Sequence, residues 1–244
     1  VLTAGLDPWS SMALAIAGGF LAGISTALIH QYFKINSLLA GILVATMIWS
    51  VNLRVMGMPN KSVRPELTAF DAISPEILLG IWSQIALLAA LVGLVVLGLI
   101  AFYKSEVGLA LRCVGANARL SPAIGINARL YTTVGFGLAN GLAALGGAIV
   151  VQQQGYADVT MGFGILVNGL AALIIGEAII GRSTIQRQVI APIVGSIVYY
   201  QLISLGLSTG LHPSDLKLLT GAFVLITLGL PLLTKGRAAV SAGA

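Results

Sequence analysis

A chain of 244 residues with 57% hydrophobic and 9% charged side chains lacks the polar surface of a water-soluble domain, in which about a quarter of residues are charged. Its net charge of +5 is spread over connecting segments. That is the pattern of cytoplasmic loops in a membrane protein, and it speaks against nucleic-acid binding. One cysteine, Cys113, excludes an intrachain disulfide and a cysteine metal cluster, and His30 and His212 are too far apart in sequence to make a ligand pair, so no metal site is expected.

The opening "VLTAGLDPW" has neither a basic n-region nor a cleavage site, so it is not a signal peptide; upstream sequence is expected. Apolar runs predict about seven spans, at roughly 12–29, 37–53, 77–102, 130–151, 161–181, 188–208 and 217–233. Eighteen helical residues rise about 27 Å, close to the hydrocarbon thickness. Strand alternation is absent, which disfavours a β-barrel. The expected fold is all-α, a polytopic transmembrane bundle forming one domain over residues 1–244.

Basic residues set the orientation. Lys34, Lys104, Arg112, Arg119, Arg129, Arg182, Arg187, Lys235 and Arg237 fall on one side, and Arg54, Lys61, Arg64 and Lys217 on the other. The richer side is cytoplasmic, which puts the C-terminus inside and the first described span's start outside. The external loop "RVMGMPNKSVRPELTAFDAISPE" reads as a solvated connector or as a docking surface for an external partner.

Along the spans, Gly19/Gly23 and Gly137/Gly141 carry the four-residue spacing that lets helix backbones approach closely in lipid. The cluster "GFGLANGLAALGG" holds more glycine than packing needs, so hinges or an unwound stretch are expected there. The polar residues within spans are mostly uncharged: Gln84, Asn140, Asn168, Tyr199, Tyr200, Gln201 and Ser204. They suit interhelical hydrogen bonds, or a polar path for which Asn140, Gln154, Asn168, Tyr200 and Gln201 are the candidates. "VQQQGYAD" would lie at the external mouth. "GEAIIGRS", Gly176 to Ser183, has a P-loop outline but lacks the lysine and the preceding strand. It reads as a cytoplasmic turn in which Glu177 pairs with Arg182. Neither a nucleophile motif nor a pair of membrane-depth carboxylates is present to support hydrolysis.

The stretch "YKSEVGLALRCVGANARLSPAIGINARLY" gathers Lys104, Arg112, Arg119 and Arg129 between two apolar spans. "EVGLALRCV" is expected to extend the preceding span as helix beyond the bilayer, with Gly115 breaking it. Asn117 is a suitable N-cap, and "ARLSPAI" predicts a short helix closed by Gly125 at C′. Such an element either seats in another protein's groove or lies as a basic loop on anionic lipid.

At these residues, "GLALRCVGANARLSPAIGI" resembles the cytoplasmic coupling segment, about 103–129, of ABC importer permeases of the branched-chain amino acid and ribose permease superfamily. "INSLLAGILVATMIWSVNLRVMGMPN" and "LAALIIGEAIIGR" are similar to its tryptophan/tyrosine-type uptake members. The resemblance runs from about residue 30 to residue 230. It implies a permease subunit in the bacterial cytoplasmic membrane, working as a homodimer. A cytoplasmic ABC ATPase would use ATP and Mg2+, and an external solute-binding protein would deliver the solute; the permease binds no cofactor and is not an enzyme. The implied coupling residues are Gly115, Asn117, Ala118, Arg119, Leu120, Ser121, Pro122, Ala123, Gly125 and Ile126. The family commonly has proline where this chain has Ala118; here Ser121–Pro122 start the helix one step later. A stand-alone secondary transporter or channel is the alternative. It calls for internal repeats or ionisable groups at depth, and neither is evident.

The orientation is testable with single cysteines at Ser62 and Ala118 in a background lacking Cys113. An impermeant thiol reagent added to intact cells should label position 62 and spare position 118. The reverse pattern would invert the topology.

Overall fold

The computed structural model describes residues 7–63, 80–162, 165–208, 210, 218 and 221–222. Seven α-helices and two three-residue strands follow in order: α1 Pro8–Phe33, α2 Ser37–Met56, β1 Asn60–Ser62, α3 Gly80–Lys104, α4 Glu106–Ala116, α5 Ala128–Gln154, β2 Tyr156–Asp158, α6 Ile165–Ile180 and α7 Ile185–Ser208. A 3-10 turn, Ser121–Ile124, lies between α4 and α5. Five of these helices (α1, α2, α3, α5 and α7) are long and apolar enough to cross a membrane. The predicted span 161–181 is the shorter helix α6, whose 16 residues rise about 24 Å. The predicted span 217–233, most of the external loop, Lys217 and the tail with Lys235 and Arg237 lie outside the described residues.

The described residues fall into two compact units, α6 and α7 with Val96–Ala101 of α3, and the remainder. In the larger unit the principal packing is α1 against α5. A Cβ on Gly19 would sit 2.5 Å from the Asn140 carbonyl oxygen and from the Ala144 methyl. One on Gly23 would overlap the Phe136 carbonyl and approach the Gly137 Cα to 2.8 Å. A Cβ on Gly137 would reach the Phe20 ring at 2.6 Å. The two glycine pairs singled out by their spacing are therefore the two faces of one crossing, within a single chain.

Side chains pin this crossing at both ends. Gln31, near the C-terminus of α1, donates its amide to the Arg129 carbonyl (3.0 Å) and the Thr133 hydroxyl (3.1 Å) at the start of α5. Gln152, near the end of α5, donates to the Pro8 carbonyl at the start of α1 (3.3 Å). The helices are thus antiparallel. α5 runs unbroken through "GFGLANGLAALGG", against the expected hinge. The physical reason is that Gly135, Gly137 and Gly141 face neighbours that a side chain would meet, while the backbone ladder stays intact around them.

The ends of α2 and α5 are joined by a ribbon too short to be read from sequence. Gly57 and Gly155 close the two helices at φ +74° and +73°, where a Cβ would be strained. β1 and β2 then pair antiparallel, with Lys61 opposite Ala157 and Asn60 opposite Asp158. The Val63 N–H donates to the Gly155 carbonyl (2.8 Å) and the Val159 N–H to the Pro59 carbonyl (3.0 Å), extending the clip at both ends. Both ends were assigned to the external side by charge, and the pairing requires that they share a side.

In the smaller unit α6 and α7 repeat the glycine device. A Cβ on Gly176 would overlap the Ala191 carbonyl, and one on Gly195 would overlap the Ala172 carbonyl. Ala171, Ala172, Ile175 and Tyr199 form the buried cluster at this contact, with Val198 and Ile203 packed on it.

Gly23→Ala and Gly195→Ala should each lower the thermal stability of the detergent-solubilised protein by about 1–3 kcal/mol, since backbone must move to admit a methyl. Gly146→Ala, which meets nothing within 4 Å, should be neutral or gain up to about 1 kcal/mol from helix propensity. Equal melting of all three would show that the crossings are not this tight.

Candidate functional site

The segment between α3 and α5 is built from caps. α3 does not continue into the next helix, contrary to the sequence expectation. It stops at Lys104, and Ser105 starts α4 as its N-cap, accepting from the Gly108 N–H (3.3 Å) while its hydroxyl donates to the Phe102 carbonyl (2.6 Å). A Cβ on Gly108 would overlap the Phe102 carbonyl, so the sharp turn depends on glycine there. Gly115 does not break α4 either. The helix runs through Ala116 and ends at Asn117, whose extended backbone leaves the helical path.

Asn117 is the pivot of the next turn. Its side-chain oxygen accepts from the Arg119 and Leu120 N–H groups (3.1 and 3.2 Å), and its carbonyl accepts from the Ser121 N–H (3.2 Å) and hydroxyl (2.9 Å). Ser121 is 2% exposed, which makes it the internal anchor of the segment. The 3-10 turn Ser121–Ile124 follows with Pro122 in its first turn, as the Ser121–Pro122 start anticipated. Gly125 closes it at φ +79°, its N–H donating to the Pro122 carbonyl and the Ile126 N–H to that of Ser121 (both 3.1 Å). Asn127 then caps α5, accepting from the Leu130 N–H (3.2 Å). Around this hydrogen-bonded base, Ala118, Arg119, Pro122 and Ala123 are exposed, and Leu120 and Ile124 are 64% and 67% exposed. The result is a hydrogen-bonded knuckle with an exposed apolar tip.

The candidate path residues separate. Asn140 lies midway along α5, donates to the Phe136 carbonyl (2.9 Å), and lines a groove between α1, α2 and α5 that Ser25 and Asn52 also line. Gln154 is exposed at the end of α5, where its neighbour Gln152 makes the structural contact instead. In the smaller unit Asn168 accepts from the hydroxyl of Tyr199 (3.0 Å), a part-buried interhelical bond. Tyr200 and Gln201 are exposed, Tyr200 meeting Tyr199 edge to face at 5.4 Å between ring centroids. Asn140 and Asn168 are thus in different units, and the described contacts do not gather the five candidates into one site.

"GEAIIGRS" is helical through Ile180, turns at Gly181 (φ +81°) and re-enters helix at Ile185. Glu177 and Arg182 form the expected ion pair. Arg187 donates to the Ser183 hydroxyl (2.8 Å), and Gln188 to the Arg182 carbonyl (2.8 Å). The first glycine of the motif, Gly176, is spent on the crossing with α7. On the ribbon, the Thr160 hydroxyl and N–H both donate to Asp158 Oδ1 at 2.7 Å, which holds that carboxyl below its usual range.

A family model described as "Branched-chain amino acid transport system / permease component" matches residues 1–228. A "Tyrosine transport system permease protein" of Clostridioides difficile (strain R20291) is 37% identical over 227 residues, 93% of this chain and 74% of that protein. "Uncharacterized protein RP368" of Rickettsia prowazekii (strain Madrid E) is 32% identical over 222 residues, covering 89% and 77% respectively. No solved structure matches the chain.

Asn117→Ala should loosen the knuckle without touching the spans. Removing a side-chain cap costs about 1 kcal/mol, so amide exchange at Arg119–Ile126 should quicken by about fivefold while α5 beyond its first turn keeps its protection. Unchanged exchange would mean that Asn117 does not hold the turn.

Proposed function

This chain belongs to the permease-component family of branched-chain amino acid transport systems, and from that premise we propose that it is the membrane subunit of an ATP-driven importer of a small solute, an amino acid in particular. It is a multi-pass membrane transport subunit, and its family places it, in bacteria, in the inner membrane. The relative named for tyrosine transport supports an aromatic amino acid as the solute. In the proposed assembly two copies of this chain pair with two cytoplasmic ABC ATPases, which use ATP and Mg2+, and an external solute-binding protein delivers the cargo. Gly19, Gly23, Gly137 and Gly141 already pack within one protomer, so the copies would meet on other faces.

The observation that carries this reading is the capped knuckle at Asn117–Gly125 with its exposed apolar tip. Leu120, Pro122, Ala123 and Ile124 form a small protrusion suited to an ATPase groove. Its hydrogen-bonded base resists deformation, and it enters α5 through the Asn127 cap. A push on the tip is therefore delivered to a membrane helix rather than absorbed by a slack loop. The work comes from the different affinities of ATP for the open and closed ATPase pair. Asn140, on the groove of α1, α2 and α5, is the path residue this scheme retains most directly. Among the described spanning helices, acidic and basic side chains sit at helix ends, whereas an ion-driven transporter calls for them at depth.

Ala118→Asp and Ala123→Asp each place a carboxylate on the tip. If the tip seats in an ATPase, the charge is buried unpaired, and association should fall more than about tenfold with normal membrane insertion. The measurement is co-purification with the co-expressed ATPase and the mass of the complex, which in the unaltered protein should fit two copies of each subunit. Wild-type association and uptake in both variants would make the segment a lipid-surface loop; a complex holding one permease copy would remove the dimer.

A further inference from the structure

Beneath the ribbon lies a cavity of about 310 Å3 whose contents the transport scheme leaves unassigned. Its apolar walls include Leu14, Met56 and Val151, and its polar groups are Ser11, Gln152 and Lys61. Strand alternation explains the lining. Lys61 and Val63 are two residues apart and share one face with Ala157, the cross-strand partner of Lys61; all three line the cavity. Asn60 and its partner Asp158 occupy the opposite face. Among the described residues, the one charged side chain lining the cavity is thus a cation, and Asp158, the carboxylate of the paired strand, is on the other side of the ribbon. Ser11 and Gln152 are buried and donate to the Asp7 and Pro8 carbonyls, which fixes that wall. Ala15 lines both this cavity and the groove between α1, α2 and α5 on which Asn140 lies, so the two spaces adjoin.

We propose that this cavity is the first station of the solute on the permease, and that it takes a small amphipathic monocarboxylate. Its carboxylate would meet the Lys61 ammonium and its apolar part Leu14, Met56 and Val151. The proposal rests on the transport reading above and deepens it. A half-buried lysine at an apolar cavity has lost part of its hydration, and an anion offsets that loss. The volume lies at the lower end of ligand pockets, which suits an amino-acid-sized solute. An acidic lipid headgroup offers the same charge, and the experiment separates the two.

The full chain, in a background with Cys113 replaced by serine, carries Ala157→Cys as a reporter in nanodiscs of zwitterionic lipid. Millimolar L-tyrosine should slow methanethiosulfonate labelling, by about tenfold at ten times its dissociation constant. Tyramine, which lacks the carboxylate, should not. Adding Lys61→Gln should abolish the protection, and Lys61→Arg should keep it. Gly147→Cys, on the same cavity where a Cβ meets nothing within 4 Å, serves as a second reporter if the first does not fold. Equal protection by tyramine, protection that survives Lys61→Gln, or protection by phosphatidylglycerol in place of L-tyrosine would each overturn the proposal. The assay needs no ATPase, so a failure of ATPase coupling and a failure of this site give different results.

Discussion

The close antiparallel crossing of α1 and α5 is the constraint on which the larger unit depends. Between helices in lipid there is no hydrophobic driving force, because the tails are as apolar as leucine. Contact must be won by dispersion at short range and by hydrogen bonds. Gly19 and Gly23 against Gly137 and Asn140–Ala144 bring the backbones close enough for that, and the Gln31 and Gln152 amides fix the register at both ends. The consequence reaches beyond packing. The knuckle enters α5 through Asn127, and the ribbon leaves it through Gly155 at the opposite end. One helix, packed on α1 at its middle and hydrogen-bonded to it at both ends, therefore spaces the two surfaces at which partner and solute are proposed to act.

The sequence carried the two glycine faces in plain view, since a four-residue spacing needs only helical periodicity to be read, but it did not say that they meet each other. The knuckle was legible for the same reason: Asn117, Pro122 and Gly125 are residues whose backbone preferences are local. What escaped was decided either by which of several neighbouring turn and cap residues took effect or by contacts distant in sequence. Ser105 breaks the helix because Gly108 lets the next turn fold back onto Phe102. Gly115 stays helical because glycine permits a break without enforcing one, and Asn117 supplies the cap two residues later. Tyr199 rather than Tyr200 meets Asn168, a choice fixed by which face of α7 turns to α6. The ribbon pairs three residues with three others almost a hundred positions away, too few for alternation to register.

The contact of α6 and α7 shows why a motif must be read with its setting. "GEAIIGRS" has the glycines of a phosphate loop, yet its first glycine lies inside a helix against the Ala191 carbonyl. Those N–H groups are engaged in the helical ladder, whereas a phosphate loop needs them free and convergent. The same residue type thus serves close helix packing here. Glu177 and Arg182 then neutralise each other at the helix end, where both charges still reach water.

Among the described residues of the larger unit, charge is distributed in a way that would suit passage rather than retention in the proposed scheme. A cation at membrane depth costs several kcal/mol and would hold an anionic solute tightly once paired. Asn140, Ser25 and Asn52 on the groove offer dipoles instead, and each good contact is worth only about 1 kcal/mol. In the proposed scheme a solute would exchange one such partner for the next with a small barrier. Lys61 lies outside the spans, on a strand of the ribbon, where the lysine retains part of its hydration. Charge at the mouth and dipoles within would let the first contact be selective without making the later ones sticky. Release to the groove would then require that Lys61 lose its proposed carboxylate partner to water, at a smaller cost at the surface than at depth.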